Sequence, residues 1–208
     1  MIDHVTIHNL FPTPLYVTEL DLDQFTLNRD DFTVTEAFHE GTLAISDDRN
    51  ILENDRFVFL KEMIDDHANH FYHNIAGYST NATLYMSSSW IVYSAPGHKS
   101  LSHTHSNSFL SGVLYVDTPE NCGDIIFELS WNDDRRWTGL FEPDISNHTP
   151  YNSVFYPIKV RKGMLLLFPS SLKHLVLTNE SNKDRISIAF NYFLRGVFNT
   201  SGAKLFIK

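Results

Sequence analysis

The sequence has little cysteine, little basic charge and no long apolar run, and each shortage excludes a class of protein. With Cys122 as the one cysteine among 208 residues, no internal disulfide forms, and we expect a protein of a reducing compartment, the cytoplasm. A net charge of -9 gives the chain no basic surface of the kind that nucleic acid requires. The longest apolar stretches, such as residues 164–168, are far shorter than the ~20 residues of a membrane-spanning helix. No signal peptide is predicted at the N-terminus.

The length and composition favour a folded chain with a substantial core. Hydrophobic residues make up 42% of the sequence, with 16 phenylalanines, and a chain of 208 residues suits one domain. Within this single domain we expect an N-terminal strand, loop and helix over residues 1–80 and a β core over residues 81–195. Residues 130–153 interrupt the core and are expected to form a lid-like insertion.

Hydrophobic periodicity separates a helical entry from a long β region. Apolar residues at three- and four-residue steps predict a helix from Asn54 to about Ile75, and the prolines at 12 and 14 favour a short edge strand over residues 10–19. Eight runs rich in valine, isoleucine, tyrosine and phenylalanine follow Gly77: 82–86, 90–93, 110–116, 124–129, 154–160, 164–168, 174–178 and 185–194. Their spacing predicts a mainly β fold, a jelly roll or double-stranded β-helix of the cupin-like kind, with the N-terminal helical segment packed on it.

Three histidines form the first candidate site. In an extended strand, the side chains of His103 and His105 point to the same face and offer two imidazoles to one metal ion. His174, which begins a later apolar strand, is the third candidate ligand. Imidazole suits iron, zinc, copper or nickel, so these residues alone do not choose the metal. Each histidine taken singly is also compatible with an ordinary surface position. Three more histidines, His67, His70 and His73, recur at every third residue of the predicted helix, and we interpret them as part of a partly exposed helix face.

A polar strand face gives the second candidate site. With period two, Arg185, Ser187, Ala189 and Asn191 share one face of the last predicted core strand, and the residues between them are apolar. If that polar face lines a barrel interior, the arginine needs an anion, and a carboxylate suits its two-pronged donor geometry. The alternative is a solvent-exposed edge face.

Five segments of the sequence resemble a known family. These are residues 11–16, Trp90, His103-Thr-His105 followed by Ser-Gly-Val-Leu-Tyr-Val at 111–116, the stretch from Gly163 through Phe-Pro-Ser at 168–170 to His174, and residues 184–192. They are similar to the 2-oxoglutarate- and Fe(II)-dependent oxygenases common in phage and marine bacterial genomes. The resemblance runs from about residue 10 to 194 and implies a double-stranded β-helix with iron between its two sheets.

The resemblance also implies a metal-ligand set. His103 and His174 match the first and the distal histidine ligands of these oxygenases. The middle ligand is usually Asp or Glu two residues after the first histidine, and this chain has His105 there. The expected metal site is therefore His103, His105 and His174. A substitute carboxylate from Asp117 or Asp124 is a minority alternative.

The cosubstrate and reaction follow from the same resemblance. Arg185 matches the arginine that holds the distal carboxylate of 2-oxoglutarate, and Ser187, Tyr115 and Asn191 are expected to assist by hydrogen bonding. The implied activity couples conversion of 2-oxoglutarate to succinate and CO2 with oxidation, usually hydroxylation, of a substrate C–H bond. We expect a small-molecule or peptide substrate and no nucleic acid or membrane partner, and the N-terminal segment is a candidate homodimer contact.

Two other functions remain open on the sequence alone. The spacing from Gly97 to the His103–His105 pair, and from Gly163 to Pro169 and His174, also fits a cupin-type metalloenzyme that does not use 2-oxoglutarate. That alternative gives Arg185 no role. The other is a non-catalytic jelly-roll binding or virion module, which would bind no metal.

Overall fold

Two antiparallel sheets and one helix make up the regular structure. The computed structural model describes residues 4–23, 25–36, 43–130 and 143–208. The strands and the helix, in chain order, are β1 (Tyr16–Glu19), β2 (Val34–Glu36), β3 (Ala44–Ser46), α1 (Val58–His70), β4 (Ala82–Ser94), β5 (Ser100–His103), β6 (Leu110–Asp117), β7 (Ile125–Glu128), β8 (Phe155–Ile158), β9 (Met164–Pro169), β10 (His174–Val176), β11 (Arg185–Phe198) and β12 (Leu205–Ile207). Short 3₁₀ turns lie at Arg29–Asp31, Ile51–Glu53 and Asp55–Phe57, and a π-helical turn at Phe71–Ile75 extends α1.

From β4 to β11 the chain alternates between the two sheets, except that the successive strands β7 and β8 both lie in the smaller sheet. The larger sheet has the order β1-β9-β6-β11-β4-β3-β2, with β12 paired to β11, and the smaller sheet has the order β5-β10-β7-β8. This crossing of a strand pair from one sheet to the other defines a double-stranded β-helix. The mainly β fold predicted from the sequence is confirmed.

The central strands of the larger sheet, β6, β9 and most of β11, carry buried side chains on both faces, since successive residues of a strand point to opposite sides. On one face, Leu60 and Ile64 of α1 pack in a core with Ile188 and Phe190 of β11. On the other face, a second core lies against the smaller sheet: Tyr115, Cys122, Ile125, Phe127, Val160, Met164, Leu166 and Phe168. The apolar half of β11 therefore faces the helix, as its period-two pattern predicts, and the polar half faces the smaller sheet.

Most predicted elements are present, and the differences have local causes. The predicted helix over 54–75 corresponds to a 3₁₀ turn, α1 and the π-helical turn, and the predicted edge strand forms at Tyr16–Glu19 beside β9. The predicted strands 82–86 and 90–93 are one strand, β4, because Ser88 and Ser89 continue the pairing with β11 and Ser87 lies at a bulge between them and Met86. Strand β5 was not predicted, since its sequence Ser-Leu-Ser-His has no apolar alternation.

Two expectations concern other parts of the chain. Half of the predicted lid-like insertion over 130–153, residues 131–142, lies outside the described residues, and residues 143–153 contain no helix or strand. Across the described ranges, the structure has no helix long and apolar enough to cross a membrane.

Gly112 of β6 marks a point where the helix-side core has no spare room. A Cβ atom at this position would overlap the ring of Phe190 and lie 2.8 Å from the carbonyl oxygen of Leu166. We predict that Gly112→Ala lowers the free energy of unfolding by about 1–3 kcal/mol, the usual cost of overpacking a core. Urea unfolding measures this change.

Gly202→Ala is the matched control. Its Cβ would meet only the flexible side chain of exposed Asn199. We expect a change within about 0.5 kcal/mol. Equal stability of the two variants would show that β6 can move away from Phe190.

Candidate metal centre and anion pocket

Three histidines from separate places in the chain meet at one end of the smaller sheet. His103 ends β5, His174 begins β10, and the two are direct partners across the antiparallel pair. His105 lies two residues beyond β5, where its backbone N–H donates to the carbonyl of Ser170 at 3.0 Å. One ring nitrogen from each histidine lies within 4.8 Å of those of the other two. The sequence-predicted trio is thus brought together, although His105 is not on the strand itself.

Backbone carbonyls orient two of the three rings. Nδ1 of His103 lies 2.8 Å from the carbonyl oxygen of Leu101, and Nδ1 of His174 lies 2.9 Å from that of Leu172. A carbonyl only accepts hydrogen bonds, so each Nδ1 carries the proton and each neutral ring keeps a free electron pair on Nε2. Nε2 of His174 lies 3.4 Å from Nε2 of His105. Holding the far nitrogen by a carbonyl is the usual support for a metal-binding histidine.

Burial keeps the two inner histidines neutral. Burial lowers the pKa of His174 to about 3, against a raising effect of its hydrogen bond to Leu172. Burial, and then the nearby His103, lower the pKa of His105 to about 4. Both rings are therefore neutral at neutral pH, which is the state that binds metal. His103 is exposed, so the cluster is open to solvent on that side.

Within the ranges that the structure describes, no carboxylate joins the three imidazoles. Asp124 instead accepts a hydrogen bond from the backbone N–H of Val160, and Asp117 is exposed at the end of β6. The donor set is three neutral nitrogens, which fits Fe(II) and equally the other divalent metals that imidazole prefers.

Arg185 lies in the same cavity as the histidines. The cavity, of about 100 Å³, is lined by Arg185, Ser187 and Tyr115 together with all three histidines. The arginine is 2% exposed, and one terminal nitrogen donates to the carbonyls of Cys122 and Gly123, each at 3.0 Å. Its Nε has no hydrogen-bond partner among the described residues. A buried N–H without an acceptor on a charged side chain fits a bound anion.

Of the other predicted cofactor-binding residues, two share this cavity and one does not. Tyr115 is buried, and burial raises the pKa of its hydroxyl, which therefore stays protonated as a hydrogen-bond donor. Ser187 lines the cavity beside Arg185. Asn191 is not among the residues that line it, and its amide instead contacts Ser111 at 2.7 Å and Ser88 at 3.2 Å.

Trp90 and three serines near His105 were not among the candidate site residues, although Trp90, Ser111 and Ser170 lie in segments that resemble the family. Trp90 lines the cavity, and its ring is stacked on His105 with centroids 6.3 Å apart and planes at 29°. Ser108, Ser111 and Ser170 form a cluster of hydrogen-bonded hydroxyls, and the backbone carbonyl of Ser170 accepts from the backbone N–H of His105. Period two along β6 places Ser111 on the face of Tyr115, which is the one sequence signal that could have found the cluster.

The helical histidines are separate from this centre. His67 Nδ1 is hydrogen-bonded to the hydroxyl of Tyr16 at 2.8 Å, and the ring of His70 meets the same tyrosine edge-on. In the described part of the chain, the one histidine group with metal-binding geometry is the trio at 103, 105 and 174.

Comparison with known proteins agrees with this fold and site. HygX from Streptomyces hygroscopicus, solved with nickel, 2-oxoglutarate and hygromycin B bound, aligns over 86% of this chain and 82% of its own at 12% identity, with a TM-score of 0.57. A 2OG-Fe(II) oxygenase family oxidoreductase from Burkholderia pseudomallei aligns over 79% and 73% at 12% identity, with a TM-score of 0.53. At such identities these likenesses show a shared fold, the double-stranded β-helix. A search of curated proteins finds no match.

The family follows from a sequence match. Residues 88–191, half of the chain, match the family model described as "Putative 2OG-Fe(II) oxygenase". This protein belongs to that family, and it is an oxygenase that depends on Fe(II) and 2-oxoglutarate. The cupin-type and non-catalytic alternatives are thereby set aside.

Removing one ligand tests the metal centre. We predict that His174→Ala weakens Fe(II) binding by more than ~100-fold, beyond the 10–100-fold typical of lost outer partners, because a direct ligand is removed. Anaerobic competition titration against a chelator measures the dissociation constant. His70→Ala, an exposed histidine on α1, is the control and should bind Fe(II) as the wild type does. Equal affinities of the two variants would place the metal elsewhere.

The lowered histidine pKa values predict a pH dependence of stability in the metal-free protein. Below the ordinary histidine pKa of 6.5, the unfolded chain binds protons at His105 and His174 that the folded protein does not. The free energy of unfolding should therefore fall as the pH falls from 7 to 5.5, by up to about 1.4 kcal/mol per pH unit for each histidine. Urea unfolding with a chelator present measures the slope. His174→Phe should show a shallower slope, and an unchanged slope would contradict the assignment.

Proposed function

We propose that His103, His105 and His174 hold Fe(II) and that Arg185 binds the far carboxylate of 2-oxoglutarate. The observation that carries this proposal is the partnerless Nε of Arg185, buried in the cavity that the three imidazoles line. The cavity therefore has a metal-binding end and an anion-binding end. A dicarboxylate with a keto group next to one carboxylate suits such a pair of ends.

Charge balance supports the anion. Arg185 forms no ion pair with any described residue, and an unpaired guanidinium that is 2% exposed is costly. Its bonds to the carbonyls of Cys122 and Gly123 fix the side chain but leave the positive charge uncompensated. A carboxylate that accepts from Nε supplies the missing negative charge.

The chain's own residues orient the reactants and exclude competing reactions. Bound Fe(II) supplies the redox chemistry that activates O2, which no side chain provides. The hydroxyls of Ser187 and Tyr115 line the cavity beside Arg185 and can donate to the same carboxylate. The rings of Trp90 and Phe168 flank His105 and His174 and limit water around the metal. The exposed side at His103 is the approach that remains for a substrate C–H bond.

Membership of the family implies a small-molecule or peptide substrate. The reaction that we propose is hydroxylation of that substrate, with release of succinate and CO2. We further infer that the chain works as one domain in the cytoplasm, where its single, buried cysteine stays reduced. A net charge of -9 argues against nucleic-acid partners, and the N-terminal segment is the candidate homodimer contact.

Replacing Arg185 tests the anion-binding end. We predict that Arg185→Gln weakens 2-oxoglutarate binding by about 2–5 kcal/mol, at least ~30-fold, because one partner of a buried charge pair is lost. Calorimetry on the Fe(II)-loaded protein without oxygen gives the affinity, and succinate formation in air gives the turnover. Arg195→Gln, at an exposed position on β11, is the control and should retain both.

Two results would contradict the proposal. One is a wild-type affinity for 2-oxoglutarate in Arg185→Gln, which would place the carboxylate elsewhere. The other is that the wild-type protein binds Fe(II) but converts no 2-oxoglutarate to succinate, not even in the slow reaction that proceeds without a substrate.

A further inference from the structure

A second, larger cavity lies next to the metal centre. Its volume is about 1050 Å³, and its walls come from the N-terminal segment with β1, from β7 and β8, and from the turn before β10. The cavity around Arg185 measures about 100 Å³, which is space for on the order of ten water-sized groups. 2-Oxoglutarate alone would occupy that smaller space, so the bulk of a substrate binds outside it.

Side chains that point between the two sheets are left exposed in the larger cavity. Leu15 and Val17 alternate with Tyr16, which packs in the core under α1, so they face the smaller sheet. Val17 is nevertheless 45% exposed. Tyr156 of β8 is the direct partner of buried Phe127 and shares its face, yet it is 58% exposed. Apolar side chains that point between the sheets without being covered indicate a ligand site.

One row of side chains joins this cavity to the metal centre. Direct cross-strand partners run across the smaller sheet in the order His103, His174, Phe127 and Tyr156. Such partners share a sheet face, and with neighbouring strands roughly 4.8 Å apart, Tyr156 lies about 10 Å from His174 along the row. The ring of Phe127 lies between them, its centroid 5.9 Å from that of His174. Leu172, whose carbonyl orients His174, also lines the cavity. The cavity therefore begins one strand beyond the histidines.

The cavity offers no free charge to a ligand. Its described lining residues include no lysine or arginine and one carboxylate, that of Glu128. Glu128 alternates with Phe127, so its side chain points to the opposite face of the sheet. There it accepts a hydrogen bond from Ser102 and lies 3.8 Å from Nζ of Lys173. An uncharged, apolar ligand fits such a cavity, because an ionised group would lose its hydration without gaining a partner.

The bordering strand favours a small molecule over an extended peptide. β8 is the edge of the smaller sheet and carries Pro157, which has no backbone N–H to donate to an added strand. A volume of about 1050 Å³ is close to the upper end of the range usual for small-molecule sites. The hydroxyl of Tyr151 donates to Oδ1 of Asn9 at 3.0 Å, which ties two segments of the wall together.

We propose that this cavity binds the substrate and that the substrate is an uncharged small molecule with an apolar ring system. It lies along the row from Tyr156 towards His174, with its reacting C–H bond at the open side of the metal centre. The inference rests on the proposed metal and 2-oxoglutarate site and names the class of substrate that this site takes.

Two fluorescent probes with the same ring system test the ligand class. At neutral pH, 2-aminoanthracene is uncharged and anthracene-2-carboxylate is anionic. The protein is loaded with Zn(II) in place of Fe(II) and with 2-oxoglutarate, so that no turnover occurs. We expect 2-aminoanthracene to bind at least ~10-fold more tightly, because the carboxylate leaves water without gaining a partner. Fluorescence titration measures both affinities.

Val17→Arg and Val58→Arg form a matched pair of variants. The two valines are 45% and 46% exposed, and Val58 lies on α1, outside the cavity. Val17→Arg should weaken 2-aminoanthracene binding at least ~10-fold and strengthen anthracene-2-carboxylate binding, since it brings a positive charge into the apolar wall. Val58→Arg should match the wild type with both probes. Thermal unfolding checks that each variant is folded, and Tyr156→Arg takes the place of Val17→Arg if that variant is unfolded.

A paramagnetic metal tests whether the occupied cavity adjoins the metal centre. With Mn(II) in place of Zn(II), the proton signals of bound 2-aminoanthracene should broaden, because an unpaired-electron spin relaxes nearby protons. With diamagnetic Zn(II) the same signals should stay sharp.

The outcomes that overturn the inference are distinguishable from failure of the proposed function. A loaded wild type that binds neither probe would remove the substrate assignment alone. Equal or tighter binding of anthracene-2-carboxylate would contradict the uncharged class. Equal probe affinities of Val17→Arg and Val58→Arg, or signals that Mn(II) leaves sharp, would place the probe away from the metal centre. Failure of the wild type to bind Zn(II) or 2-oxoglutarate, whether or not a probe binds, would overturn the proposed function itself.

Discussion

The two-residue alternation of β11 is the constraint on which the rest of the molecule depends. This strand lies between β6 and β4 in the larger sheet, and both of its faces are covered. Its apolar residues, among them Ile188 and Phe190, pack under α1, which leaves Arg185 and Ser187 on the opposite face towards the smaller sheet. The hydrophobic core on one side therefore fixes the position of a buried positive charge on the other. A shift of one residue in register would exchange the two faces and destroy both.

The candidate metal centre depends on a second constraint, the pairing of two strand ends in the smaller sheet. His103 and His174 are direct partners there, so their separation is set by the spacing of neighbouring strands. Carbonyl oxygens two residues before each of them orient the rings without help from other side chains. Among the described contacts, the ring of His105 has no such carbonyl partner, and the rings of Trp90 and Phe168 lie beside it instead.

The predictable features were those carried by periodicity and by motif. The alternation along residues 185–192 predicted the faces of β11, and eight short β runs predicted the fold. Strand β5 escaped prediction because a serine-rich edge strand has no hydrophobic pattern, and its formation depends on pairing with β10. The partners of Asn191 also could not be predicted, since Ser88 and Ser111 are distant in sequence and meet it only through strand pairing. The sequence placed Asn191 on the polar face of β11, and its expected role in binding 2-oxoglutarate stays a prediction.

The central claim is that one cavity holds the metal at its histidine end and 2-oxoglutarate at its arginine end. A crystal structure with bound Ni(II) in place of Fe(II) and with 2-oxoglutarate, prepared in the absence of oxygen, tests this claim most directly. The account predicts the metal at about 2.1 Å from one nitrogen each of His103, His105 and His174, as is usual for imidazole ligands. It also predicts a carboxylate of 2-oxoglutarate in hydrogen-bond contact with Nε of Arg185. A metal bound away from the three rings, or a carboxylate that leaves Nε without a partner, would contradict it.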